Sequence, residues 1–122
     1  MNTINLGDFQ VDFQYDFIKL RFNDGIHFST PEFEKYYSLK NEIYGARKIG
    51  LLILNDHLED IKYSFDPSVL ITHNDAFLAH IKWIIVVSDK QMDYKNFEHL
   101  KKFTTIPCKF VTNFKALKRE RL

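Results

Sequence analysis

A chain of 122 residues that is 45% hydrophobic and 27% charged, with 12 Phe and 6 Tyr, has the size and composition of one folded domain with an aromatic core, and it excludes a disordered chain. A net charge of +1 provides no bulk field for nucleic acid, so none is expected as a partner, and a single cysteine, Cys108, excludes an intramolecular disulfide and any CxxC pair. No apolar run approaches the roughly 20 residues that span a bilayer, and the start, MNTINLGDFQ, lacks the basic and apolar regions of a signal peptide, so the expectation is a soluble cytoplasmic protein.

Phe9, Val11, Phe13 and Tyr15 alternate with Gln10, Asp12, Gln14 and Asp16, the period-two pattern of a strand with one buried face. FIKLRF follows at once, with Ile18, Leu20 and Phe22 on one side, so the two strands form an antiparallel hairpin. Asn23-Asp24-Gly25 makes a turn, and Ile26 to Phe28 extends the sheet briefly. STPEFEKYYSLKNEIYG then carries a helix start and stop: Ser29 or Thr30 caps, Pro31 suits the first turn, Glu32 and Glu34 favour the positive end, and Gly45 terminates. Its inner stripe is predicted as Phe33, Tyr36, Tyr37, the stem of Lys40, Ile43 and Tyr44.

KIGLLIL is continuous rather than alternating, which suits a central strand covered on both faces. After a polar linker, DPSVLITHNDAFLAHIK reads as a helix capped by Asp66 and opened by Pro67, although β-branched Val69, Ile71 and Thr72 weaken its start. KWIIVVS is a second continuous apolar strand, and DYKNFEHLKKF an amphipathic helix with Tyr94, Phe97, Leu100 and Phe103 facing inward and Asp93 near its cap. IPCKFV is the last strand, with Pro107 marking an edge or a strand start and Cys108 read as a buried structural thiol. Thr112 or Asn113 caps a short basic helix, FKALKRERL. The order is β-β-α-β-α-β-α-β-α, an α/β fold with a mixed sheet, an N-terminal antiparallel hairpin and helices packed on it, in one domain over residues 1–122.

The charges are unevenly spread. Residues 1–34 carry a net of −4 and residues 99–122 a net of +6, so the two ends can complement each other within one molecule or between two. The basic end, with Lys115, Lys118, Arg119 and Arg121, is also suited to an anionic membrane.

The ordered series FIKLRFNDGIHFSTPEFEKY, KIGLLILND, FDPSVLITHNDAFLAHIKWIIVVSD and KFVTNFKAL resembles the STAS domain, and within it the SpoIIAA-like branch, related in fold to CRAL-TRIO lipid-transfer domains. The resemblance covers nearly the whole chain. It implies a cytoplasmic regulatory module that meets protein partners, with a homodimer among them, through the loop after the central strand and the start of the next helix. In this sequence those positions are Asn55, Asp56, His57, Glu59, Asp60, Asp66 and Ser68. Regulatory members carry a phosphorylatable serine in an Asp-Ser-Ser-Gly-like motif at that helix start. Here Asp66-Pro67-Ser68 stands there without the second serine or the glycine, and helix capping is the reading of these residues. The lipid-transfer relation implies a second function, carriage of a small apolar or lipid ligand in a pocket lined by the tyrosine face of the first helix, with Trp83 as its reporter.

Catalytic chemistry finds little support. Asp56 and His57 follow a central strand, where open α/β sheets place ligands, but adjacent residues on an extended chain point in opposite directions. A receiver-type arrangement of Asp56 with Ser88 and Lys109 conflicts with an opening hairpin. The histidines are dispersed without HxH or HExxH spacing, and the four glycines form no phosphate loop, so neither a metal nor a cofactor is expected. The expectation is a non-enzymatic binding module.

Overall fold

The computed structural model describes residues 2–7, 9–55 and 63–113. Among them a six-stranded sheet runs in the order β1 (Asn2–Asn5), β2 (Phe9–Phe13), β3 (Phe17–Phe22), β5 (Ile49–Asn55), β7 (Ile81–Ser88) and β8 (Cys108–Val111). β2 is antiparallel to both of its neighbours, β1 and β3, and β3, β5, β7 and β8 are parallel. A separate parallel pair joins β4 (Ile26–Phe28) to β6 (Tyr63–Phe65). The helices are α1 (Thr30–Tyr44), α2 (Pro67–Thr72), α3 (Asn74–His80) and α4 (Gln91–Lys101). The expected α/β architecture, a mixed sheet entered through an antiparallel hairpin, is what the chain forms. None of the described helices is long and apolar enough to cross a membrane.

The parallel strands follow one another in a single direction across the sheet, so right-handed crossovers bring their connecting helices to the same face. Phe33 and Tyr36 of α1, Val69 of α2, Phe77 of α3 and Phe97 of α4 accordingly share one core with Val11, Leu20, Leu51, Ile53, Ile84 and Val86. Each large apolar side chain buried in this way stabilises the fold by about 1.5–3 kcal/mol. The opposite face holds a smaller cluster of Leu52, Leu54, Ile85, Val87 and Val111, with Phe17 and Trp83 packed against it. Trp83 lies beside Phe17 at 5.9 Å between ring centroids and directly over Gly50, its partner in the β5–β7 register. A Cβ at Gly50 would collide with the indole, so glycine is the residue that lets this ring lie flat on the sheet.

The differences from the expected element order have local causes. β1 carries one large apolar residue, Ile4, and so lacks an alternating signal, yet it pairs with β2 across a turn in which Gly7 has φ 88°. β6 lies in the stretch read as a polar linker; three residues are too few for periodicity to register. The single helix expected from residue 66 onward is two, parted at His73 (φ −109°, ψ 26°), where the β-branched end of α2 meets Asn74 and Asp75. Ile43 and Tyr94, both placed on inner stripes, face solvent. Tyr94 nonetheless meets Phe110 edge-on at 5.2 Å. Cys108 is half-buried rather than buried, its thiol donating to Ile106 O at 3.1 Å. The expected terminal helix lies outside the described residues.

A polar contact joins α1 to α3. Lys40 is fully buried, and its Nζ donates to Gly45 O at 2.6 Å and to His80 Nδ1 at 2.8 Å. An ammonium only donates, so Nδ1 accepts and His80 carries its proton on Nε2, which meets Tyr37 Oη at 2.9 Å. Burial, and then the charge of Lys40, hold the His80 pKa below its ordinary value; burial, and then Arg47, lower that of Lys40. His80 is thus neutral when folded and protonates more readily when unfolded. Its contribution to stability is complete above the unfolded pKa of about 6.5 and is lost as pH falls toward the lower folded value. The urea midpoint should therefore fall more between about pH 7.5 and about pH 5.5 in the wild type than in His80→Gln. Equal falls in the two proteins would show that this contact does not couple protonation to folding.

Candidate functional site

The parallel strands β3, β5 and β7 end on one side of the molecule, where open α/β sheets place ligands. β5 and β7 finish in register, Asn55 beside Ser88, after four in-register pairs of residues from Leu51/Ile84 to Leu54/Val87. Along β5, Leu51, Ile53 and Asn55 face the helices; along β7, Ile84, Val86 and Ser88 do the same. Two apolar rows therefore end together in a polar pair. Asp93, in the first turn of α4, closes over that pair: Asn55 Nδ2 donates to Asp93 Oδ2 at 2.7 Å and Ser88 Oγ donates to the same oxygen at 2.5 Å. Ser88 Oγ in turn accepts from Lys90 N at 3.0 Å, which ties the strand end to the start of the helix.

All three side chains are buried, Asn55 and Asp93 at 3% exposure and Ser88 at 2%. Asp93 lies in the first turn of α4 and accepts both donors through one oxygen. Asn55 Oδ1 is buried with no hydrogen-bond partner among the described residues, an unsatisfied acceptor of the kind folded proteins rarely leave. Beside this cluster lies a cavity of about 40 Å³ between the sheet and α3 and α4. Leu51, Ile53, Ile84 and Val86 form its floor, Phe77, Phe97 and Leu100 its helical walls, and Asp93 and Asn96 its polar part. A second cavity of about 20 Å³ reaches toward Phe33 and Tyr36, and Phe22, Leu51, Ile53 and Phe77 line both.

Of the residues expected to meet partners, Asn55 belongs to this buried cluster, while Asp66 and Ser68 stand at the start of α2. Asp66 caps that helix, accepting from Ser68 N at 3.0 Å, and its own N–H donates to Phe28 O at 2.9 Å, which anchors α2 to β4. The side-chain and then the backbone hydrogen bond from Ser68 hold the Asp66 carboxyl below its ordinary pKa. Ser68 is exposed, as are Ile71 and Thr72, while Val69 points into the core. Asp56, His57, Glu59 and Asp60, and the basic residues Lys115, Lys118, Arg119 and Arg121, lie outside the described residues.

Other expectations fall elsewhere. Of the tyrosine face of α1, Tyr36 is buried and lines the smaller cavity, Tyr37 is bonded to His80, and Tyr44 Oη donates to Gln14 O and to Phe17 O. Trp83 stands on the other face of the sheet from the cavities and does not line them. Ser88 is bound to Asp93, and Lys109 pairs with Ile85 on the second face, so the two do not converge as receiver helpers. Burial raises the Cys108 pKa, which keeps it a thiol. Among the described residues no three His, Cys, Asp or Glu side chains gather as metal ligands would.

The role of Asp93 escaped sequence reasoning, which read it as helix capping. Its signal was present in two strands, GLLILN and KWIIVVS, each running apolar to a single hydrogen-bonding residue. Comparison with protein-family models, with curated proteins and with solved structures found no match.

Removing the shared acceptor leaves two buried donors unsatisfied, so Asp93→Ala should lower stability by about 2–4 kcal/mol in urea unfolding. Because Ser88 acts through the same oxygen, the Ser88→Ala, Asp93→Ala double variant should lose less than the two single losses together. Strict additivity would mean that the cluster is not an energetic unit.

Proposed function

We propose that the protein is a non-enzymatic binding module of the STAS kind that its element order resembles, working in the cytoplasm on a protein partner. The observation that carries this reading is the outer face of α2. Asp66 and Val69 fix the helix to the fold, and the same helix turns Ser68, Ile71 and Thr72 outward, Ile71 with 64% of its surface exposed. An apolar side chain presented on a rigid, capped helix and flanked by hydroxyls has the character of an interface anchor. The neighbouring polar groups favour binding over turnover. Asp66 Oδ1 and Asp93 Oδ2 accept structural hydrogen bonds, and no nucleophile stands beside a free base in the described residues.

The test is affinity capture by the immobilised wild type and by Ile71→Asp, with circular dichroism confirming the variant's fold. A specific partner should bind the variant about 30-fold or more weakly, as an interface anchor requires. Retention of the same proteins at wild-type levels by Ile71→Asp would remove α2 as the docking surface.

The cavities favour a second reading, carriage of a small apolar ligand. A water needs about 10–15 Å³ on this measure, so the larger cavity has room for about three waters and is too small for an acyl chain as it stands. Native mass spectrometry of protein purified without additives should then show a small retained mass, and a bare chain would argue against a resident ligand.

A further inference from the structure

We infer that the apolar second face of the sheet is the docking surface for the chain's own residues 114–122, which cross it as a helix with Phe114 over Val87 and Val111, Leu117 over Leu52 and Leu54, and Glu120 toward Lys19 and Arg21. The inference is independent of the outer face of α2 and of the cavities. It starts from burial that the described elements do not explain. Leu52 is 0% exposed, Leu54 and Val87 2%, Val111 6% and Ile85 8%. Yet the cluster consists of strand residues alone, whereas α1, α2, α3 and α4 each place side chains in the core of the other face. An antiparallel or mixed sheet with nothing over one face leaves that face to water, so another part of the chain covers this one. Residues 56–62 join β5 to β6, and β6 pairs with β4, whose Ile26 and Phe28 pack into the other core. That connection leads away from the second face and leaves residues 114–122.

Position, length and pattern all select this segment. β8 ends at Val111, itself a member of the cluster, so FKALKRERL begins at the edge of the face. As a helix, the reading its sequence supports, it is about 13.5 Å long, close to three strand spacings of about 4.8 Å, which carries it from β8 over β7 and β5 to β3. Along that path one row of the sheet reads Val111, Val87, Leu54, and the next Lys109, Ile85, Leu52, Lys19. Arg21 stands on the same side of β3 as Lys19, which also meets Asp12 at 3.9 Å. Between β7 and β3 the face thus passes from apolar to basic. Phe114, Leu117 and Glu120, three residues apart, share one side of a helix and pass from apolar to acidic in the same direction, Glu120 being the segment's single acid. Lys115 and Arg119 fall on the opposite side. The segment's apolar side is committed to the sheet, and what it turns to solvent is charge.

The experiment is a methyl and aromatic NOE spectrum of the full chain, with Trp83 fluorescence as a second readout, since Trp83 is the single tryptophan and packs against this cluster. Cross-peaks should join the Phe114 ring to the Val87 and Val111 methyls, and the Leu117 methyls to those of Leu52 and Leu54. Leu117→Asp should abolish them, shift Trp83 emission to the red and raise its quenching by acrylamide. Glu120→Lys should raise the quenching less, and Lys115→Glu should leave it unchanged. Absence of the wild-type cross-peaks overturns the inference, as does Trp83 emission in Leu117→Asp identical to that of the wild type. Cross-peaks found only between differently labelled copies in a mixed sample would make the occupant a second copy and overturn it equally. The wild-type spectrum decides the matter even if Leu117→Asp does not fold.

Discussion

The structure depends on one pairing, the parallel ladder between β5 and β7. Seven residues of β5 and eight of β7 lie side by side, and both faces of the pair are apolar: Leu51, Ile53, Ile84 and Val86 toward the helices, Leu52, Leu54, Ile85 and Val87 away from them. Such a pair has no polar face to show solvent, so it forms only at the centre of a sheet, and the other strands and the helices are arranged around it. Its register also sets the chemistry. Because Asn55 falls opposite Ser88, two hydrogen-bonding side chains meet one carboxylate at one level, and a slip of a single residue would turn one of them to the other face.

The helical layer meets this ladder mainly through aromatic rings. Phe33 stacks on Phe77 at 4.7 Å and meets His73, tilted, at the same distance, which ties α1 to α3 and to the α2–α3 junction. Lys40 and His80 extend that contact with a buried amine whose partners are a neutral imidazole and a backbone carbonyl. Toward α4 the packing is less complete, and the space left over Ile53 and Val86 lies beside the polar cluster. Phe77 lines both this space and the smaller cavity that reaches toward Phe33 and Tyr36, so the gaps in the helical layer lie on either side of one ring.

Much of the architecture was legible because it rests on period and punctuation. The alternation of Phe9, Val11 and Phe13, the unbroken KIGLLIL and KWIIVVS, and Pro31 and Pro67 at helix starts each have one local cause. Short elements were not legible. β1 and β6 are held by hydrogen bonds to strands distant in sequence or across a turn, and four or three residues carry too little pattern to announce this. Ile43 and Tyr94 were misassigned because a helical stripe predicts which side chains face a neighbour only if the neighbour extends that far. The site was half legible. Asn55, Asp66 and Ser68 stood out as polar residues at element ends, but Asp93 read as capping alone because its partners are 38 residues and 5 residues away.

By itself the sequence determined the class of the fold, the strands that must lie at its centre and the helix starts, since apolar periodicity, proline and capping residues act over a few neighbours. Only the tertiary structure decided that Asn55, Ser88 and Asp93 share one oxygen, that Trp83 lies over Gly50 on the face away from the cavity, and that the tyrosines of α1 are spent on packing. Those facts depend on strand register and helix placement. Both are set by how whole faces bury one another, a property of the assembled layers that no local stretch of chain contains.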